Sequence, residues 1–272
     1  MNDLSRFCIN TITTKPWSLE QAVEKYAAVG VKGITIWREM LENHNLHATG
    51  QMIRDHDMEI VSLSRGGFFA ADTHSKRQEA IEQNRRIIEQ AAELGAPMLV
   101  LVCGAVPGQS LEISRGQIRD GIEQILLSAI KAKIKLAIEP LHPVYAADQS
   151  AINTLRQANE MVERIDSTRL GVIVDTYHSW WDPALEPEIT RCGLNNNLFG
   201  FHISDWKCPM TDPFNDRGLM GEGVINIPEI RSWVERVGFT GFNEVEILSQ
   251  KYWERNQDEF LEQIKEAYIK FS

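Results

Sequence analysis

The chain contains no apolar run approaching the roughly 20 residues that a helix needs to cross a bilayer. Its apolar stretches, such as Pro97 to Val102, have the length of strands. The N-terminal Met1-Asn2-Asp3-Leu4-Ser5-Arg6 has neither the basic start nor the apolar stretch of a secretory leader, so a cytoplasmic location is expected. Cysteine is scarce: Cys8, Cys103, Cys192 and Cys208 lie far apart and form no CxxC pair, which excludes a thiolate zinc knot and a redox dithiol. Each is expected to be a buried thiol. Basic residues are in deficit, with 28 Lys+Arg against 38 Asp+Glu and a net charge of −10, which argues against gripping a phosphate backbone. No Gly/Ser linker or shift of composition divides the sequence. What remains is an acidic chain of 272 residues, 43% hydrophobic and 24% charged, enough for one large domain with a substantial core.

The organisation is one of alternation. Short β-branched runs recur at Phe7 to Ile12, Gly33 to Trp37, Glu59 to Ser64, Pro97 to Val102, Lys135 to Glu139, Leu170 to Asp175, Leu198 to Ser204 and Phe242 to Ile247. Between them, Ser18 to Val29, Ser75 to Leu94, Glu112 to Lys131, Ser150 to Ile165 and Ile227 to Val237 carry apolar residues at three- and four-residue intervals and are predicted helices. Ser18 with Gln21 forms a capping box, and Gly30 and Gly95 stand where helix C-terminal glycines belong. Eight strand-helix units in 272 residues leave 34 residues per unit, enough for a right-handed crossover each time. The predicted fold is an α/β (β/α)8 TIM barrel spanning residues 1–272 as a single domain. The longest stretch without a helix, Lys207 to Asn226, follows the seventh strand and so falls on the rim where barrel active sites lie.

Four consecutive strands end in a carboxylate or imidazole where an apolar residue would be ordinary. These are Glu139 in Ile138-Glu139-Pro140, Asp175 in Asp175-Thr-Tyr-His178, His202 in Phe201-His202, and Glu246 in Val245-Glu246-Ile247. One acidic strand end is usually a solvated turn residue; four in a row point to a site. In a closed barrel they converge on one rim, where three carboxylates together would repel and resist desolvation unless a divalent cation lay between them. Three carboxylates and one imidazole suit Mn2+ first, then Mg2+ or Co2+, better than a structural zinc site. A +2 ion against three carboxylates leaves −1, enough to keep one of them basic. Glu244 lies on the same strand face as Glu246, so either could reach the centre.

This ordered set, with Gly221-Glu222-Gly223 and Ile225 after strand seven, resembles the xylose-isomerase-like TIM-barrel superfamily of sugar isomerases, epimerases and lyases over essentially the whole chain. The resemblance implies that Glu139, Asp175, His202 and Glu246 are the metal ligands, with Glu139 and Glu246 as acid/base partners across the substrate. It further implies that His178 and Arg217 hold substrate oxygens, and it favours Glu246 over Glu244 as the last ligand. The cation then polarises a carbonyl while a carboxylate removes the neighbouring proton, through an enediolate. Isomerisation, epimerisation and elimination share that first half-reaction.

Local runs lean to one branch. Glu139-Pro-Leu-His142-Pro143, Tyr177-His178-Ser-Trp180-Trp181-Asp182-Pro183 and Asp205-Trp206 through Gly223 look like a branch that includes the barrel subunit of 3-oxo-C-glycoside deglycosidases. There a ketone at sugar C3 acidifies the C2 proton and elimination expels an aromatic aglycone from C1; the resemblance also implies an oligomer with a smaller β subunit. A ketose/aldose isomerase or 3-epimerase on a free or phosphorylated sugar is the alternative. His142 is expected either as an extra acid or base beside Glu139 or as a brace for a loop between two prolines. Trp180, Trp181 and Trp206 are candidates for a sugar- or aglycone-stacking wall, with at least one of them packed under a loop. Lys207 is read as a solvated loop lysine in preference to an anion contact. His44, His47, His56 and His74 have no partner pattern. Apurinic endonucleases share the architecture but need histidines at the ends of earlier strands, where this chain has Trp37-Arg38, Ser64-Arg65 and Cys103-Gly104. A non-catalytic barrel is disfavoured because buried carboxylates without a role are destabilising.

Overall fold

The computed structural model describes residues 3–272; Met1 and Asn2, part of the segment from which the absence of a leader is read, lie outside the described residues. Eight parallel strands close in sequence order: β1 (Phe7–Asn10), β2 (Gly33–Trp37), β3 (Glu59–Gly67), β4 (Met98–Val102), β5 (Lys135–Ile138), β6 (Leu170–Asp175), β7 (Leu198–Ile203) and β8 (Asn243–Val245). Closure is made by β1 against β8, with Cys8 opposite Glu244 on one side and Gly33 on the other. One outer helix follows each strand: α1 (Leu19–Val29), α2 (Leu46–Asp55), α3 (His74–Leu94), α4 (Leu111–Ala132), α5 (Leu155–Ile165), α6 (Leu185–Leu194), α7 (Ile227–Arg236) and α8 (Gln257–Phe271). The TIM barrel expected from the alternation is therefore the fold. No helix among the described residues is long and apolar enough to cross a membrane.

Local chemistry sets the boundaries. The Ser18 hydroxyl accepts from the Gln21 amide while the Gln21 side chain accepts from Ser18, and Gly30 ends α1 in the left-handed region with φ +89°. α5 begins later than expected, at Leu155. Thr154 caps it, and Ser150 instead bridges to Gly104 after β4. α2 and α6 escape a simple periodicity reading because Gly50 interrupts the first and Pro187 the second. Gly50 has a packing reason: a Cβ there would sit 2.1 Å from the Leu94 carbonyl oxygen.

The main core lies between the sheet and the helices, with Phe7, Ile34, Leu63, Leu99 and Val172 pointing outward from their strands. Inside the barrel, Met98, Val100, Ala137 and Ile173 form a separate apolar cluster with Phe199 against it. Side chains two residues on share a strand face, so above Ala137 stands Glu139 and above Ile173 stands Asp175. Cys8, Cys103 and Cys192 are buried, whereas Cys208 is exposed, contrary to expectation, because it sits on the rim loop rather than on a core element.

That rim loop, 207–226, is tied down at several points. Buried Asp205 accepts from the amides of Gly221 (3.0 Å), Gly223 (2.9 Å) and Ile225 (3.0 Å). At Gly223 any side chain would collide with the Trp206 carbonyl, 2.1 Å from an added Cβ. The hydroxyls of Tyr145 and Tyr177 both donate to the Pro213 carbonyl, at 2.7 and 2.8 Å. Lys207 is not the solvated lysine expected. It pairs with Asp216 and lies over the Tyr252 ring.

Candidate metal centre

Barrel closure brings Glu139, Asp175, His202 and Glu246 together: all four are buried, and one potential ligand atom from each lies within 4.8 Å of the others. β6 and β7 carry Asp175 and His202 side by side in register, and Glu139 and Glu246 stand one residue beyond the ends of β5 and β8. His202 Nδ1 lies 2.8 Å from Glu139 Oε1, while its Nε2 faces Glu244 Oε2 at 3.4 Å. Glu244 thus stands behind the imidazole. It also accepts from Asn10 (2.9 Å) and from the Thr35 hydroxyl (2.6 Å). Asn10 donates to Glu246 Oε1 as well, at 3.0 Å, and so aligns both acids of β8.

The electrostatics are those of a cluster short of positive charge. Burial, reinforced by repulsion from Glu139, raises the Glu246 pKa to about 8. Asp175 is raised to about 6 by burial, against the pull of Arg217. Burial disfavours the imidazolium of His202, yet Glu244 and Glu139 on either side outweigh it and hold its pKa well above the usual value. Glu244 is held low despite burial, by His202, Thr35 and Asn10. Among the described residues, Arg217 is the one fixed cation in contact. Its Nη1 donates to Glu246 Oε2 at 2.9 Å and reaches Asp175 Oδ2 at 3.4 Å.

These residues fit a divalent cation. The His202 Nε2 is buried without a well-made hydrogen bond, and a carboxylate aimed at it is the arrangement that orients a ligating imidazole and fixes its tautomer. Three carboxylate oxygens and one nitrogen form a donor set for Mn2+, Mg2+ or Co2+ as readily as for Zn2+.

A cavity of about 220 Å3 opens beside the cluster, lined by Glu139 and Glu246 among the four; Asp175 and His202 are not on its wall. His178 and Arg217 also line it. Arg217 Nη2 donates to His178 Nε2 at 3.0 Å, and the His142 amide points at His178 Nδ1 at 3.2 Å. A neutral imidazole has a single lone pair, so only one of these donors is satisfied by it. Burial and the Arg217 charge keep His178 neutral, with a pKa well below the usual value.

His142, Trp180 and Trp206 are placed elsewhere. None of them lines the cavity, so the expected stacking wall is not formed by these tryptophans. Trp206 instead stacks on His142 (centroids 4.7 Å apart) and leans on Tyr177 and Trp180. Trp181 turns its indole N–H onto the His178 carbonyl. The His142 Nδ1 accepts from the Val144 amide, the bracing role, and burial lowers its pKa. The aromatic wall is made by Trp37, Tyr145 and Phe214. Nothing in the sequence separates these three from other aromatics, because the turns that bring them to the cavity are long-range. Asn10 and Asp205 were legible in part: each is a polar residue in or just after an apolar strand.

Known proteins place this geometry. The crystal structure of protein SMc04130 from Sinorhizobium meliloti 1021 is 40% identical, with a TM-score of 0.95 and 99% of each chain covered. The inosose isomerase of Bacillus velezensis (strain DSM 23117 / BGSC 10A6 / LMG 26770 / FZB42) is 24% identical over 96% of this chain and 95% of its own. The IOLI protein, whose structure holds a zinc atom, has the same fold with a TM-score of 0.84 at 22% identity, covering 97% of this chain and 96% of its own. With its model matching residues 23–267, the chain belongs to the xylose isomerase-like TIM barrel family.

Proposed function

We propose that this protein is a divalent-metal-dependent enzyme that moves a proton on the carbon beside the carbonyl of a single small polyhydroxylated ketone, as an isomerase or epimerase. The observation that carries the reading is the division of the cluster: Glu139 and Glu246 face the cavity, whereas Asp175 and His202 are recessed behind them. Two carboxylates on the wall of one small cavity can take a proton from a bound carbon and return it. Glu139, Asp175, His202 and Glu246 would hold the cation, Mn2+ ahead of Mg2+ or Co2+, which when bound supplies Lewis-acid polarisation of the carbonyl. Arg217 and His178, both on the cavity wall, would hold substrate oxygens. The pull of Arg217 on Glu246 opposes the rise caused by burial and keeps that carboxyl within reach of ionisation near neutrality. Similarity to an inosose isomerase over nearly the full length supports a cyclic or open keto-polyol, and the zinc held by the IOLI protein supports a divalent ion.

The deglycosidase-like elimination fits less well. The cavity, about 220 Å3, falls below the roughly 300–1,000 Å3 of sites for drug-sized ligands. His142, which that reading would use as an acid or base, packs on Trp206 outside the cavity. The smaller partner subunit belongs to that reading alone. Incubation of the Mn2+-loaded protein with ketohexoses and keto-inositols in D2O, followed by NMR, is the test. Deuterium entering the carbon beside the carbonyl supports the proposal, and absence of exchange across the panel rejects it.

A further inference from the structure

We infer that Ser64 and Arg65, at the end of β3, form a subsite for a carboxylate, so that the substrate of the proposed reaction is a keto-polyol acid. This rests on the proposed function and names its substrate class. The placement of Arg65 comes from an irregularity in the sheet. Ser64 is opposite Val100 and Gly66 is opposite Leu101, so Arg65 is an extra residue in β3 with no partner in β4. Strict alternation would send it outward with Leu63 into the helix layer. A bulge re-aims a side chain, and here Arg65 joins Glu139 and Glu246 on the cavity wall.

The guanidinium of Arg65 lies 5.1 Å from the centre of the Trp37 ring and 5.0 Å from that of Phe68. Among the described residues it makes no hydrogen bond and has no carboxylate within 4.0 Å, whereas Arg217 is committed to Glu246 and Asp175. Burial lowers its pKa against the pull of Glu39, Glu246 and Glu139, none of which contacts the guanidinium among the described residues. Ser64, only 2% exposed, lines the same cavity, and among the described residues its hydroxyl makes no hydrogen bond. Stacking on aromatic rings leaves the edge of the guanidinium fork free, and that edge matches a carboxylate in two parallel hydrogen bonds. Among the described residues, Arg65 and Arg217 are the only cations on the wall. A single uncommitted cation with one hydroxyl suits a singly charged carboxylate and is sparse for a phosphate dianion.

The test is calorimetric titration of gluconate, glucitol and glucitol 6-phosphate into the Mn2+-loaded protein. Gluconate should bind wild type about ten- to a hundredfold more tightly than glucitol, the range of a charge-assisted hydrogen-bonded pair. Arg65→Met should bring the two to parity, and Arg65→Lys should restore part of the difference. Equal binding in wild type, a preference that survives Arg65→Met, or tightest binding of glucitol 6-phosphate overturns the inference. Deuterium exchange in the same preparations keeps the two proposals apart. Carboxylate preference without exchange on any ketone retains the subsite and rejects the proposed reaction, and exchange without carboxylate preference does the reverse.

Discussion

The Nε2 of His202 lies 3.4 Å from the Glu244 carboxylate, a buried acid that does not itself belong to the four-residue cluster. A carboxylate behind an imidazole holds the ring in one tautomer and raises its basicity toward a cation. Glu244→Gln should therefore weaken Mn2+ binding by about 10- to 100-fold while leaving the fold intact. Competition with a chelating dye measures the affinity, and unchanged affinity would deny Glu244 this role.

The pH dependence of the metal-free protein follows from the same cluster. Glu246 is raised from 4.5 to about 8 and Asp175 from 3.8 to about 6, and His202 is also raised, so the folded state holds protons more tightly than the unfolded chain. Their contribution is fully present below the unfolded values and lost as pH rises through the folded ones. Glu244, held low, acts below its ordinary 4.5 and outside this window. Thermal melts of chelated protein should fall from pH 6.5 to pH 8; below pH 6.5 the neutral His178 and His142, whose pKa values are lowered, oppose the trend. Added Mn2+ should raise Tm more at pH 8 than at pH 6, because the cation binds the deprotonated carboxylates. A Mn2+ shift that shrinks as pH rises would contradict this.

Glu246→Gln removes one of the two acids that face the cavity. Deuterium exchange into a ketone substrate should fall by at least about 100-fold, the lower range for a positioned acid or base. Circular dichroism should show an unchanged fold, since an amide of the same shape replaces a carboxyl that burial already pushes toward neutrality. Exchange at the wild-type rate would remove Glu246 from the chemistry.

Asp205 holds the rim loop through the amides of Gly221, Gly223 and Ile225. Asp205→Ala removes the shared acceptor of these amides, of which that of Ile225 is buried, and should cost about 1–3 kcal/mol in urea unfolding. Because the loop carries Arg217 into the site, KM should rise as well. A loss of stability under 1 kcal/mol would mean that the loop is held elsewhere.

Trp206 and Phe214 should separate stacking from packing. Phe214→Ala opens the cavity wall and is expected to raise KM with little change in Tm, since Phe214 is exposed (39%). Trp206→Ala should lower Tm by several degrees with KM nearly unchanged, because its neighbours are His142, Tyr177 and Trp180. The opposite pattern would restore Trp206 as a substrate contact.

The sequence by itself determined the barrel and the convergence of Glu139, Asp175 and His202 with one acid of β8. Both follow from short-range rules: a strand alternates its faces with period two, and short parallel units close in order. A polar residue two positions beyond an interior Ala137 or Ile173 must rise toward the rim. Tertiary structure decided everything that depends on where loops land. Barrel closure turned Glu246 into the cluster and left Glu244 behind His202, although both share one strand face. The rim loop's anchors on Asp205 and Pro213 brought Arg217 in and carried Trp206 away. The extra residue in β3 aimed Arg65 at the cavity, a consequence of register that no periodicity in a single strand contains, because a bulge is defined only against the neighbouring strand.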